Sequence, residues 1–273
     1  MKTKAVWRHI EMVKRIVTGL FLIAIATTVI LKGSLYLFSF LLLTSLLCCR
    51  EVIMMLRKNN HAIYPSLIYS GVILMFLSLL YPPFNFLWNG IYIKIMVIGI
   101  ILWSMYEIKL GRVLFFKSAW LSSFRVLLFF GPLFSLIYLT RGLDNGLFLL
   151  GFSIACIAAS DIVALFGGKF IGKRPLSKIS PNKTIEGSIC GILGSMAIAI
   201  IFVSIEGLNF KLYLGLSVVI AIISQLGDLH ESLTKRTFNV KDSSDLLPGH
   251  GGFYDRADSI IFVVPLIYFL FNV

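Results

Sequence analysis

Acidic side chains are concentrated in one polar segment near the end of the chain, between two apolar runs. The segment 225–258 carries six of the thirteen acidic residues, together with four basic residues and two of the four histidines. Asp228 directly follows one apolar run, and Asp258 directly precedes the next. Carboxylates at membrane depth are costly and usually functional. We therefore expect chemistry here rather than an ordinary solvated loop.

Helical spacing would bring these carboxylates onto common faces. If the preceding helix continues, Asp228, Glu231 and Lys235 share one face, and Asp255 and Asp258 are also one turn apart. Hard carboxylate oxygens suit Mg²⁺, which leaves coordination positions for substrate phosphates. The alternative is helix capping, since the helix dipole favours acids in a first turn. Capping accounts for Asp255 but not for Asp228, which would lie at a C-terminal helix end.

A glycine-rich turn, Pro248-Gly249-His250-Gly251-Gly252, lies between these carboxylates. Glycines allow backbone N–H groups to approach an anion closely, although such a turn can also merely reverse the chain. Four neighbouring cations could neutralise phosphate oxygens: Lys235, Arg236, Lys241 and Arg256. Together these groups indicate a Mg²⁺-nucleotide or another polyphosphate. The sequence contains neither a Walker A pattern nor GxGxxG.

A second polar segment, 167–187, follows an apolar run that contains Asp161. We expect this carboxylate to be buried, and a buried carboxylate needs a cation or a hydrogen-bond donor. The segment carries five basic residues, and Glu186 stands near the start of the next apolar run. Loop charge on the cytoplasmic side explains about half of these lysines.

The elements that position these residues are apolar runs of about the length that a bilayer requires. They predict nine transmembrane helices, at 17–31, 34–49, 64–81, 88–104, 126–140, 146–166, 188–205, 212–227 and 257–272. The run at 126–140 is short and is expected to extend back past Arg125, whose long side chain can reach the interface. The predicted fold is an all-α polytopic integral membrane protein.

The composition excludes a soluble globular protein and a disordered one. Hydrophobic residues make up 58% of the 273 residues and charged residues 14%, whereas a soluble domain has about 25% charged residues. Long aliphatic runs with 23 Phe and 10 Tyr are incompatible with disorder. The four cysteines lie in apolar runs without CxxC spacing, which is typical of buried small hydrophobic residues.

Basic residues alternate between the two sides of the predicted membrane. The segments before the first helix and after the second, fourth, sixth and eighth hold 21 of the 25 Lys and Arg residues. The positive-inside rule places these segments and the N-terminus in the cytoplasm and the C-terminus outside. The same rule explains the net charge of +12 without a nucleic-acid partner.

We expect one membrane domain, 1–273, in which helices of 1–145 precede a part, 146–273, that carries the catalytic cavity. No fixed-period repeat is visible. The first helix contains Ala24-Ile25-Ala26, which could be a signal-peptide cleavage site. Because the apolar run continues beyond this site, we expect the helix to be retained.

Motifs from residue 160 onward match a known family pattern at fixed spacings. Ser232-Leu233-Thr234-Lys235-Arg236 is followed by Lys241-Asp242 and then by the run 247–258. This gapped pattern resembles the signature of the phosphatidate cytidylyltransferases, the CDP-diacylglycerol synthases, and 225–231 resembles its lead-in. The stretches 160–168 and 180–187 are similar to a second conserved block of that family.

Several positions depart from the pattern of that family. Thr234 and Ala257 stand where larger apolar residues are usual, and we expect altered packing there. Ile162-Val163 replaces the commoner Thr-Gly, and Lys169 replaces the usual Arg. These changes argue against a hydroxyl role beside Asp161. They leave the acidic residues and the His-Gly-Gly core intact.

The resemblance implies transfer of CMP from CTP to phosphatidic acid, giving CDP-diacylglycerol and pyrophosphate, with Mg²⁺ as cofactor. It implies Asp228 and Asp255 as metal ligands, and Asp258 as a catalytic carboxylate that is either a secondary ligand or lies beside the ligands. It also implies catalytic roles for Lys235 and Arg236. The residues implied to bind substrate are Lys241, Asp242, His250, Gly251, Gly252, Arg256, Asp161, Lys183 and Glu186. The phosphate monoester of the lipid is already anionic near neutral pH, so no dedicated general base is needed.

The implied partners are the two substrates and the lipid bilayer, with no nucleic acid, and a homodimer is a family expectation. We expect a multi-pass protein of a bacterial inner (plasma) membrane with its active site facing the cytoplasm, where CTP is found.

Two alternatives stay open. A related CTP-dependent lipid kinase would transfer the γ-phosphoryl group and release CDP instead of pyrophosphate. A transporter for an anionic solute would also place carboxylates and basic loops in a membrane. The missing repeat argues against the transporter.

Overall fold

The computed structural model describes residues 2–81, 83, 88, 90–115 and 117–272, with side chains described from Val17 onward. Within this part the elements are α1 (Lys2–Lys32), α2 (Ser34–Lys58), α3 (Pro65–Ser78), α4 (Ile91–Leu110), α5 (Ala119–Arg141), α6 (Gly146–Ile171), α7 (Ile185–Glu206), α8 (Phe210–Thr237), α9 (Tyr254–Ala257) and α10 (Ile260–Phe271). The β structure among the described residues is limited to two isolated bridges. The predicted all-α class is therefore confirmed for them.

The nine predicted helices fall on nine of these elements, all except the short α9. Six of the described helices are long and apolar enough to cross a membrane: α2, α4, α5, α6, α7 and α8. Three shorter stretches are also apolar and helical: α3, α10 and the part of α1 from Val17 to Lys32. α5 begins at Ala119, so the predicted extension past Arg125 is confirmed. One residue of the predicted helix 88–104, Asn89, lies outside the described residues. The helices are those of a multi-pass membrane protein.

Packing divides the chain into two compact units. The first comprises Met1–Asn85, Phe115–Tyr138 and Phe238–Ala257, and the second comprises Phe86–Leu114, Leu139–Thr237 and Asp258–Val273. Each unit has its own buried apolar residues and carries some of the residues singled out above.

In the first unit, α2 is buried along an extensive face. The Phe38 ring packs edge-on against Phe76 of α3 and Tyr138 of α5, with centroid distances of 5.5 and 5.7 Å. Ser45 donates a hydrogen bond to the Phe130 carbonyl oxygen over 3.4 Å. Cys48 and Cys49 are fully buried, as expected for small hydrophobic residues. The packing of α2 against α3 and α5 therefore restricts its movement and fixes the position of the side chains that it carries.

In the second unit, α6 and α7 pack closely because glycines allow their backbones to approach. A Cβ atom at Gly187 would lie 2.7 Å from the Ala164 carbonyl oxygen, and one at Gly191 would lie 2.9 Å from the Ser160 carbonyl oxygen. Phe152 of α6 packs edge-on against Tyr213 of α8 at 5.4 Å. This packing fixes α8 against α6 and α7.

α8 continues as a helix beyond its apolar part. The apolar run ends at 227, but the helix ends only at Thr237. The hypothesis that the helix continues past this run is therefore confirmed. Its last turns carry the polar residues predicted to share a face.

Candidate active site

Three carboxylates of the second unit form one group, which we call the carboxylate cluster: Asp228, Glu231 and Asp258. Each offers one oxygen, and these oxygens lie within 4.8 Å of one another. Asp228 and Glu231 are one turn apart on α8, as predicted. Gly227 allows the close approach of Asp258, because a Cβ atom at Gly227 would overlap the Asp258 carbonyl oxygen.

Two lysines pair with the carboxylate cluster. Lys183 forms an ion pair with Asp228, and these side chains are 31% and 30% exposed. Lys235 pairs with Glu231 across one helical turn, at 2.6 Å between Nζ and Oε1. The backbone N–H of Leu176 donates to the Lys183 carbonyl oxygen over 2.7 Å and so shapes the loop that presents this lysine. The cluster therefore combines three acids with two cations that can meet phosphate oxygens.

Burial and, second to it, the negative charge of Asp228 raise the pKa of Asp258 to about 7. The Ser259 N–H group donates to Asp258 Oδ1 over 2.8 Å and opposes the shift, while Asp161 adds a smaller upward effect. Asp161 itself is exposed on α6, so its expected burial is wrong. An apolar run does not say which face of its helix is covered, and Asp161 lies on an open face.

The donor set of the carboxylate cluster fits Mg²⁺. Carboxylate oxygens are the hard ligands that this ion takes, usually with one or two carboxylates and several further positions for waters and phosphates. The pKa of Asp258 is raised first by burial and then by the charge of Asp228, and a divalent cation bound beside these carboxylates would favour their ionised forms. The cluster contains Asp228, one of the two predicted metal ligands, together with Asp258 and Glu231.

A buried contact between His230 and Glu107 stabilises the part of α8 that carries the cluster. His230 Nε2 lies 3.2 Å from Glu107 Oε2, and the two side chains are 3% and 0% exposed. Glu107 Oε1 also accepts a hydrogen bond from the Leu114 N–H group over 2.7 Å. These contacts tie the cluster-bearing turn of α8 to the end of α4. Sequence reasoning missed Glu107; the available signal was an acid at the end of an apolar run.

In the first unit, the glycine loop (residues 247–252) is a tight hydrogen-bonded turn. The Leu247 N–H group donates to the Gly251 carbonyl oxygen over 2.9 Å, and the His250 N–H group donates to the Leu247 carbonyl oxygen over 2.8 Å. Gly249 and Gly251 have φ angles of 76° and 77°, which glycine adopts without strain. The turn therefore depends on glycine at these two positions.

Asp255 closes the segment that carries the glycine loop. Its Oδ2 atom accepts hydrogen bonds from the Ser243 N–H group (2.9 Å), the Ser243 hydroxyl (2.9 Å) and the Gly252 N–H group (2.7 Å). Arg256 donates through Nε to the His250 carbonyl oxygen over 3.2 Å. The metal-ligand role of Asp255 stays a prediction. Its described contacts are those of a residue that shapes the loop.

The remaining predicted residues lie on the surface or organise loops. Lys241, Asp242 and Arg236 are exposed. Glu186 accepts hydrogen bonds from the Lys173 and Arg174 N–H groups over 3.0 and 3.2 Å, so it orders the basic loop before α7. Sequence reasoning also missed Glu51, a buried acid of α2 that contacts the segment around the glycine loop.

The sequence profile of the Cytidylyltransferase family matches residues 13–273. The chain belongs to this family. It is 33% identical over 267 residues to a phosphatidate cytidylyltransferase of Bacillus subtilis (strain 168), covering 96% of the chain and 98% of that protein. It is 32% identical over 258 residues to a phosphatidate cytidylyltransferase of Staphylococcus saprophyticus, covering 93% of the chain and 96% of that protein.

A third relative is similar over a shorter stretch. A phosphatidate cytidylyltransferase of Synechocystis is 44% identical over 127 residues, which is 46% of the chain and 43% of that protein. The predicted family membership, made from motifs of the C-terminal part, is confirmed by similarity across nearly the whole chain.

Proposed function

We propose that this protein is a phosphatidate cytidylyltransferase that forms CDP-diacylglycerol and pyrophosphate from CTP and phosphatidic acid. The observation that carries the proposal is its similarity, over 96% of the chain, to a protein of that name. A phosphate oxygen of phosphatidic acid attacks the α-phosphorus of CTP. The bond from that phosphorus to the bridging oxygen breaks, and pyrophosphate leaves with this oxygen.

Asp228, Glu231 and Asp258 would hold Mg²⁺. The metal-ligand role of Asp255, which the family resemblance implies, stays a separate prediction. When bound, Mg²⁺ neutralises charge on the phosphates of CTP and on the departing pyrophosphate. The support for this assignment is the convergence of the three carboxylates.

The basic side chains bind and orient the anionic substrates. Lys183 and Lys235 lie against the carboxylate cluster and can contact phosphate oxygens beside it. Arg236, Lys241 and Arg256 are exposed cations of the polar segment 225–258 and can bind the triphosphate or the lipid phosphate. Catalysis of this kind rests on positioning and charge neutralisation, since the attacking phosphate is already an anion.

The membrane arrangement that we propose has nine spans, with the N-terminus in the cytoplasm and the C-terminus outside. Its support is the alternation of basic segments together with the apolar helices. The polar segments that carry the site then face the cytoplasm of a bacterial inner membrane. Phosphatidic acid enters from the bilayer, and two copies of the chain form a homodimer.

Product analysis tests the proposed reaction. Detergent-purified protein is mixed with Mg²⁺, phosphatidic acid and CTP labelled in the cytosine ring, and label is counted in the lipid phase while pyrophosphate and CDP are quantified. The proposal predicts label in lipid and one pyrophosphate released per labelled lipid. Release of CDP without lipid label would indicate a CTP-dependent lipid kinase. If folded protein gives neither product, uptake of anionic solutes into proteoliposomes without CTP tests the transporter.

A further inference from the structure

Glu51 of α2 is a buried acid whose contacts all lie outside the carboxylate cluster. Its side chain is 0% exposed. Oε1 accepts hydrogen bonds from the Ser244 hydroxyl (2.6 Å) and the Phe253 N–H group (2.9 Å). Oε2 accepts hydrogen bonds from the Ser243 hydroxyl (2.8 Å) and the Tyr254 N–H group (2.9 Å). Four donors therefore surround one carboxylate, two at each oxygen.

These donors come from both ends of the glycine loop. Ser243 and Ser244 precede the loop, whereas Phe253 and Tyr254 follow it. Because one carboxylate accepts hydrogen bonds from residues on both sides of the loop, it holds the two ends of the loop together. We call Glu51 with these four donors the clamp. A buried carboxylate is costly unless its oxygens are hydrogen-bonded, so the four donors and the carboxylate depend on one another.

The clamp requires glycine at position 252. A Cβ atom there would overlap both carboxylate oxygens of Glu51 and the Ser243 hydroxyl. The second glycine of the His-Gly-Gly core thus has a packing reason that differs from the one at Gly251, whose φ angle is positive.

The clamp also reaches Asp255. The Ser243 hydroxyl lies 2.8 Å from Glu51 Oε2 and 2.9 Å from Asp255 Oδ2. A hydroxyl carries one proton and can serve only one of these acceptors at a time. The Ser243 and Gly252 N–H groups complete the environment of Asp255. Displacing Glu51 would therefore disturb both the loop ends and this aspartate.

We propose that Glu51 is a positioning residue for CTP, which fixes the glycine loop and Asp255 in the shape that binds the triphosphate. This inference rests on the proposed function, since the family resemblance behind that function implies that His250, Gly251 and Gly252 of the loop bind substrate. Glu51 acts through the loop and does not itself touch the substrate. α2 supplies a rigid base, since its buried face packs against α3 and α5 through Phe38.

Glu51→Gln is the sharpest variant, because the amide keeps the shape of the side chain. It replaces one acceptor oxygen with an NH₂ group that faces two donors. We expect kcat/KM for CTP to fall about 100-fold, the scale on which a displacement of about 1 Å affects catalysis. The KM for phosphatidic acid stays unchanged. Ser244→Ala removes one donor and gives a smaller fall of the same kind.

Ser45→Ala is the matched control. Ser45 is also buried in α2 and donates to the Phe130 carbonyl oxygen, a contact that does not involve the glycine loop. We expect unchanged KM values for both substrates. In the Glu51→Gln background, Ser244→Ala should add no further loss, because its acceptor is already disturbed.

A purely structural role would overturn the inference. That result would be a lowered melting temperature in Glu51→Gln, with wild-type kcat and KM for CTP in the folded fraction. If Glu51→Gln does not fold, the KM values of Ser244→Ala for the two substrates test the inference instead. A raised KM for CTP with an unchanged KM for phosphatidic acid supports the clamp, and unchanged values for both contradict it.

Failure of the proposed function would look different. Wild-type protein would then make no CDP-diacylglycerol at all. In that case, calorimetric binding of CTP to wild-type and Glu51→Gln protein still tests the clamp. Weaker binding to the variant supports it, and equal binding, or none to either protein, contradicts it.

Discussion

Lys183, in the loop before α7, forms an ion pair with Asp228 of α8, 45 residues later in the sequence. The pair joins the two polar segments that the sequence singles out separately. Thr184, the next residue, caps α7 by accepting a hydrogen bond from the Gly187 N–H group over 3.1 Å. The loop therefore presents Lys183 to the carboxylate cluster from a defined helix start.

Lys183→Met should lower kcat/KM for CTP by about tenfold or more, because a charge-assisted hydrogen bond contributes about 1.5–3 kcal/mol. Lys178→Met changes an exposed lysine of the same loop and should leave the rate near wild type. Initial rates at varied CTP concentration measure the effect. Equal losses in the two variants would mean that only the overall loop charge matters.

Metal binding should depend on pH through Asp258. Its pKa is raised from the ordinary 3.8 to about 7, so below pH 7 a cation must displace a proton from this carboxylate. The apparent Kd for Mg²⁺ should therefore rise about tenfold for each pH unit below 7 and level off above it. Calorimetric titration of Mg²⁺ between pH 5.5 and about 8.5 covers both regimes.

Asp258→Asn is the control for this titration. It should bind Mg²⁺ more weakly than wild type and lose the pH dependence near 7. The same tenfold slope in wild type and variant would assign the titration to another group.

Two glycines of α8 give a matched pair. A Cβ atom at Gly227 would overlap the Asp258 carbonyl oxygen, whereas one at Gly215 would meet nothing within 4 Å. Gly227→Ala should destabilise the protein by about 1–3 kcal/mol, the usual cost of overpacking, and should weaken Mg²⁺ binding. Gly215→Ala should be neutral or stabilise by up to about 1 kcal/mol. Melting temperatures in detergent compare them, and equal effects would refute the proposed close approach.

The contact between Glu107 and His230 should stabilise the turn that carries the carboxylate cluster. Glu107→Ala removes the partner of His230 and the acceptor of the Leu114 N–H group. Loss of buried hydrogen bonds should cost about 1–3 kcal/mol, seen as a lowered melting temperature, and should weaken Mg²⁺ binding. Glu206→Ala, at the exposed end of α7, controls for loss of an acid. Unchanged Mg²⁺ affinity in Glu107→Ala would exclude support of the cluster.

Local periodicity explains what could be predicted from the sequence. The apolar runs located the helices, and helical spacing placed Asp228 and Glu231 on one face. Hydropathy predicted less well where a helix ends once its residues become polar. In α8 the hydropathy falls at 227, but the backbone stays helical to Thr237. Asp161 shows a related limit, since its apolar neighbours indicated burial although its own helix face is exposed.

Long-range hydrogen bonds explain what could not be predicted. Glu51 lies just beyond the apolar run 34–49, and its backbone partners follow 202 and 203 residues later. No pattern in the sequence around Glu51 predicts that these distant N–H groups donate to it. Similarly, Glu107 resembles an ordinary charge at a helix end until its contact with His230, 123 residues away, is seen.

The Mg²⁺ requirement of lipid labelling shows whether the carboxylate cluster holds the metal for the reaction. Label from cytosine-labelled CTP is counted in the lipid phase at increasing Mg²⁺ for wild-type, Asp228→Asn and Asp258→Asn proteins. Asp144→Asn, an exposed aspartate between α5 and α6, is the control. We expect saturable Mg²⁺-dependent labelling in wild type and control, and a loss of about 100-fold or more in both cluster variants. Folded cluster variants that label lipid at the wild-type rate, with the wild-type Mg²⁺ dependence, would contradict it.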